Sequence, residues 1–136
     1  MSTEPARFLC EQHIGRKVMR AIQGLPGAEV APVTNDIHED DRLIVEHANQ
    51  NNQTIVTRDG GFPARRLCSI SRGVLFIPQQ MTSGTVVRLE DVLPCLTRLL
   101  QSGRLRTLGH GVCTMLPNGV TLKLPSGEET YTLNDI

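Results

Sequence analysis

Apolar residues in this chain recur at two different spacings, and the alternation between them sets the expected elements. Arg7-Phe8-Leu9-Cys10 is a short apolar run of the kind that forms a buried strand. From Ile14 the spacing becomes helical, through Val18, Ala21, Ile22 and Leu25, until Gly24 and Pro26-Gly27 stop it. Glu29 to Val33 reads as a second, brief strand. Asn35 to Asp41 is a polar, acidic connection with good N-cap residues. The helix after it carries Ile44, Val45 and Ala48 and dissolves in Asn49 to Gln53. Thr54-Ile55-Val56-Thr57 is a third strand, left through the turn Arg58-Asp59-Gly60-Gly61. Gly73 to Ile77 is the most apolar strand and ends at Pro78. Leu89, Val92, Leu93, Leu96, Leu99 and Leu100 line one side of a helix that Gly103 closes. Pro94 has no N–H to donate, so that helix starts near Glu90 or bends.

Strands alternating with helices predict a parallel sheet covered by helices. In such sheets functional groups gather where strands end and the chain turns toward a helix. Glu11 and Asp59 each follow a strand end, and Asp41 stands where a helix begins. The last segment has another character. Leu116-Pro117-Asn118-Gly119 and Leu124-Pro125-Ser126-Gly127 are near copies, each a turn with Pro second and Gly fourth. Between and after them Val120, Leu122 and Leu124 alternate with Thr121 and Lys123, and Tyr131-Thr132-Leu133 follows. This predicts a three-stranded antiparallel meander packed on the domain or on a partner. The expected division is an α/β unit over 1–108 and the meander over 109–136.

Composition narrows the class. The chain has 136 residues and 15.0 kDa, enough for one domain with one core. With 39% hydrophobic and 21% charged residues, neither a disordered nor a membrane protein is indicated, and no apolar run spans a bilayer. Met1 to Arg7 lacks the order of a signal peptide, so the cytoplasm is the expected location. Cys10, Cys68, Cys95 and Cys113 form no CxxC pair and read as reduced, buried thiols rather than a disulfide framework or zinc site. Fourteen basic residues balance fourteen acidic ones, which removes any global attraction to polyanions. Arginines nevertheless cluster at Arg58, Arg65, Arg66 and Arg72, and Trp is absent, so an aromatic base-stacking platform is not expected. His38 and His47 read as surface or cap histidines, and His110 as part of a link.

The candidate chemistry lies in carboxylates. Clustered acids can hold Mg²⁺ or Mn²⁺, which activates water and neutralises a phosphodiester. Their gathering is costly, because two carboxylates about 5 Å apart repel by about 3 kcal/mol at an effective dielectric of about 20. The candidates are Glu11, Asp36, Glu39, Asp40, Asp41 and Asp59. Asp40 alone reads as a helix cap. Asp59, before Gly60-Gly61, fits a turn as well as a site.

Three segments together resemble the small PIN-like family. They are Phe8-Leu9-Cys10-Glu11-Gln12, Asp41 ahead of Ile44-Val45-Glu46-His47-Ala48, and Thr54-Ile55-Val56-Thr57-Arg58-Asp59-Gly60-Gly61-Phe62. The resemblance runs from about Arg7 to Leu100 and leaves the meander outside it. It implies a three-layer fold with a mostly parallel central sheet, and a metal-dependent endoribonuclease, in some members the toxin of a toxin–antitoxin pair. In that family the first strand ends in Asp-Glu-Asn, the second helix begins with Asp, and the third strand leads into Thr-x-Asp-x-Asp-Phe. Carried over by position, Asp41, Asp59 and Glu11 become the catalytic and metal-binding acids for Mg²⁺ or Mn²⁺. Cys10 then stands for the leading Asp, Gln12 for Asn and Gly61 for the later Asp. A thiol is a soft ligand with little affinity for Mg²⁺.

Two functions follow from this. The first is an endoribonuclease with weakened or lost activity, in which Arg58, Arg65 and Arg66 hold the RNA backbone. The second is a non-catalytic PIN-like module that binds RNA or a protein. RNA and an antitoxin-like protein are the expected partners, association with a second copy is compatible with both, and no membrane is involved.

Overall fold

The protein is described by a computed structural model covering residues 5–34, 36, 40–62 and 70–136, without the side chains of 106 and 107. The elements are β1 (Ala6–Cys10), α1 (Arg16–Gln23), β2 (Ala28–Pro32), α2 (Asp41–Gln50), β3 (Thr54–Thr57), β4 (Val74–Phe76), α3 (Leu93–Ser102), β5 (Val112–Leu116), β6 (Gly119–Leu124) and β7 (Gly127–Thr132). Short 3₁₀ turns occupy Gln12–Ile14, Leu89–Val92, Arg104–Thr107 and Leu133–Asp135. The chain is α/β, and no described helix is long and apolar enough to cross a membrane.

The seven strands among the described residues form one sheet in the order β2-β1-β3-β4-β5-β6-β7. The pairings from β2 through β5 are parallel, and the last two are antiparallel. Strand alternation divides the apolar residues between two faces. Phe8, Cys10, Val56, Leu75, Cys113 and Met115 share one core with Val18 and Ile22 of α1 and with Cys95, Leu96 and Leu99 of α3. Leu9, Ile55, Val74 and Val112 share the other with Ile44, Val45 and Ala48 of α2. Helices therefore cover both faces, making three layers. β3 sits at the centre with all four residues buried.

Local chemistry explains the element ends. The periodic run from Ile14 is split by Gly15, at φ 77°, into a 3₁₀ turn and α1. Pro94 lies in the first turn of α3, where no N–H is required, and the 3₁₀ turn at Leu89–Val92 leads into it. Gly73 precedes β4 with φ 77°, and a Cβ there would meet Leu108 Cδ2 at 2.7 Å and the Gly111 carbonyl at 2.8 Å. No side chain fits at that crossing.

The expected meander exists, with the two-residue loops Pro117-Asn118 and Pro125-Ser126. Its relation to the rest is edge to edge rather than layer on layer. β5 pairs parallel with β4 in the register Val74↔Val112, Leu75↔Cys113 and Phe76↔Thr114. Val120 and Leu122 of β6 belong to the same core as α1 and α3. The segments 1–108 and 109–136 thus share one sheet and one core.

Candidate carboxylate site at the strand switch point

The strand order fixes where a crevice opens. From β1 the chain moves outward to β2 through α1, then returns past β1 to β3 through α2. The chain therefore leaves β1 toward α1 on one face and reaches β3 from α2 on the other, and such a reversal is where open α/β sheets place their sites. Glu11 is the residue after β1, and Asp59 lies two residues after β3.

The backbone positions Glu11. Its N–H donates to the Val56 carbonyl at 3.1 Å, continuing the ladder onto β3 by one step. Its backbone is still extended (φ −67°, ψ 163°), so the strand alternation carries on through it. Phe8 and Cys10 face the α1 side; Leu9 and then Glu11 face the α2 side. That parity turns Glu11 toward the start of α2, where Asp41 is the first helical residue. Asp40 caps this helix, its Oδ1 accepting from the Arg42 N–H at 3.0 Å. The positive end of the helix dipole there favours acidic side chains.

Asp59 is held by its turn. Its N–H donates to Thr57 Oγ1 at 3.0 Å, and its Oδ1 accepts from the Gly61 N–H at 2.9 Å. The Phe62 N–H donates to its carbonyl at 3.1 Å and places the buried Phe62 ring in the α2-side core. The Asx turn expected before Gly60-Gly61 is thus present, and it anchors the carboxylate at the crevice.

Electrostatics register the convergence. The Glu11 carboxyl titrates above the ordinary range, chiefly because burial penalises its charge. The Thr57 hydroxyl donates to it and opposes that rise, Asp41 and Asp59 add repulsion, and His13 draws it back slightly. Glu11 therefore lies within electrostatic reach of both Asp41 and Asp59. Thr57 and His13 belong to the same neighbourhood, and neither was among the site residues expected from the sequence. Thr57 is fully buried, with its hydroxyl bonded to both Glu11 and the Asp59 backbone. A hydroxyl ending an otherwise apolar buried strand was the available clue.

Cys10 is a buried thiol, as expected, and it lies on the opposite face of β1 from Glu11. It is buried among Phe8, Ile14 and Val56 in the α1-side core, and burial pushes its thiol up to about 12. The acid facing Asp41 and Asp59 is Glu11, one residue later. Cys95 and Cys113 are likewise free, buried thiols, as expected, and Cys68 lies outside the described residues.

The basic candidates divide. Arg58 donates from Nε to the Ile77 carbonyl at 3.4 Å, and from Nη2 to the carbonyls of Pro78 at 3.2 Å and Val87 at 2.5 Å. Arg65, Arg66, Glu39 and His38 lie outside the described residues. Asp36 accepts from the Thr34 hydroxyl. His47 Nδ1 lies 3.1 Å from Gln53 Oε1, a structural pairing that ties the end of α2 to the approach to β3.

Three carboxylates are the hard oxygen donors that Mg²⁺ and Mn²⁺ prefer. Among the described residues, however, no group of three or more His, Cys, Asp or Glu side chains is arranged to hold a metal ion. The donor chemistry of the three acids fits such an ion. Compared with protein-family models, with curated proteins and with solved structures, the chain matches none.

Proposed function

We propose that the crevice of Glu11, Asp41 and Asp59 is a phosphodiester-cleaving site of PIN-like type that acts on RNA and depends on Mg²⁺ or Mn²⁺. The observation behind it is that Glu11, at the end of β1, feels the charges of both Asp41 and Asp59, acids from two other distant segments at element ends. Such mutual repulsion is tolerated where a cation is to be attracted. A divalent ion, when bound, lowers the pKa of a water and offsets phosphate charge. The chain's own part is to hold the acids: the Asx turn fixes Asp59, the helix start fixes Asp41, and Thr57 fixes Glu11. An antitoxin-like protein partner belongs to the same proposal.

The deciding experiment is cleavage of varied single-stranded and structured RNAs with Mn²⁺ or Mg²⁺. Asp59→Asn should lower the rate at least hundredfold and weaken Mn²⁺ binding. Intact RNA throughout, with Mn²⁺ affinity indifferent to Asp59→Asn, would end the nuclease reading. A second reading, a non-catalytic module binding RNA or protein, is motivated by Cys10 and Gly61 standing where the PIN-like family has acids. It requires binding that is the same with and without divalent ions.

A further inference from the structure

The edge that carries the acids is not acidic along its whole length. Parallel pairing brings the ends of β1 and β3 and the starts of α1 and α2 to the same edge of the sheet, with the two helices on opposite faces. α2 opens with Asp40 and Asp41, where the positive end of the helix dipole favours them. α1 opens the other way. Its N-cap is Gly15, its first turn holds no acid, and its first two residues are Arg16 and Lys17, both opposed by the dipole. Arg20 follows four residues after Arg16 and three after Lys17, so the three like charges share one side of the helix and repel one another.

Val18 and Ile22 fix the other side of α1 in the core, which leaves Arg16, Lys17 and Arg20 exposed. Other arginines are engaged within the fold: Arg7 pairs with Glu29 at 3.2 Å, Arg58 is bonded to carbonyls, and Arg104 donates to the Tyr131 hydroxyl at 3.2 Å. Among the described residues no side-chain hydrogen bond or ion pair engages Arg16, Lys17 or Arg20. From Gln12 to Ala28 the sequence holds no acid, so a chain of zero net charge carries a local excess of three positive charges here. This face begins where the crevice ends: His13, in the 3₁₀ turn between Glu11 and α1, is close enough for Glu11 to feel its charge. Carboxylates alone repel a polyanion, whereas a cationic flank on the same edge draws it in and is itself relieved of repulsion. We infer that the exposed face of α1 made by Arg16, Lys17 and Arg20 holds a single RNA strand by its phosphates, with a neighbouring phosphodiester at the carboxylates. The identity of the polyanion rests on the RNA-cleaving reading.

The test is binding of a short, labelled single-stranded RNA in EDTA, where neither cleavage nor a divalent ion enters. Combining Arg16→Gln, Lys17→Gln and Arg20→Gln should weaken binding at low salt by about tenfold or more, and lower the slope of log affinity against log salt by about two, at about 0.7 per phosphate contact. The triple variant should melt no lower than the parent, because the charges removed from the first turn opposed the helix dipole. Should it not fold, Lys17→Gln alone should lower the slope by about 0.7. Lys123→Gln, on β6, removes an equal charge and should leave RNA binding as in the parent. Unchanged affinity and slope in the triple variant, or a loss from Lys123→Gln equal to that from Lys17→Gln, would overturn the inference. So would a triple variant that loses only its affinity for phosphatidylserine vesicles, which would make α1 a membrane-facing surface. A parent that binds RNA through α1 yet leaves it intact with Mn²⁺ would sink the nuclease reading and keep this surface. Cleavage whose kcat/KM is indifferent to the triple variant would do the reverse, and a parent that binds no RNA would sink both.

Discussion

Every residue of β3 is buried, whereas in β7 only Tyr131 escapes full exposure. The two strands belong to one sheet, and the contrast follows from how their neighbours connect. In the parallel half each strand must hand over to a crossover, so its end opens into a loop, and polar groups collect there. Glu11, Asp41 and Asp59 are all of this kind. In the antiparallel part the strands are joined by two-residue turns, which leave no crevice. Cys113 and Met115 of β5 and Val120 and Leu122 of β6 complete the α1-side core, while β7 lies mostly exposed. Chemistry is therefore sought at the parallel edge, and shape and solubility in the hairpin extension.

The contrast can be broken most forcefully at Cys10. Cys10→Asp puts a carboxylate into the α1-side core and should cost about 4 kcal/mol or more, read by denaturant unfolding. Unchanged stability with tighter Mn²⁺ binding would instead place residue 10 in the crevice. A smaller effect is expected from Glu11→Gln. The folded-state carboxyl titrates above the ordinary value of 4.5, so the native state holds its proton longer than the unfolded chain. Stability from this group is thus present at low pH and declines as pH rises from about 4.5 through the raised value. Glu11→Gln should abolish that decline and stabilise the protein at neutral pH by at most about 1 kcal/mol, given partial solvent screening. Melting curves across the acid range would show it, and a decline that persists would assign it elsewhere. The smallest change belongs to the extension: Thr130→Ala, on the exposed edge strand, should alter stability by no more than about 0.5 kcal/mol in thermal unfolding.

Much of this architecture was legible in the chain because the parallel strands are dense apolar runs and the helices keep strict spacing. β1, β3 and β4 lie where Phe8-Leu9, Ile55-Val56 and Val74-Leu75 put them, and α2 begins at the acid expected to start it. Glu11, Asp41 and Asp59 were legible as candidates from their places at element ends. What escaped was parity and partnership. Whether Cys10 or Glu11 faces the crevice depends on which residue continues Leu9's face, and a one-residue change reverses the answer. The edge-to-edge joining of β4 and β5 escaped because an alternating strand looks the same whether it pairs with its neighbour or stacks on it. Arg58 was read by its charge, yet its carbonyl partners lie nineteen to twenty-nine residues away and leave no local trace.

The parallel seam between β4 and β5 has a consequence for synthesis of the chain. Val74 and Leu75 pair with Val112 and Cys113, which emerge from the ribosome well after them. Until then a nascent chain carries a sticky, greasy rim open to any passing strand. The finished molecule instead presents Glu128 and Glu129 on its outermost strand, a charged selvedge that discourages the sheet from growing onto another copy.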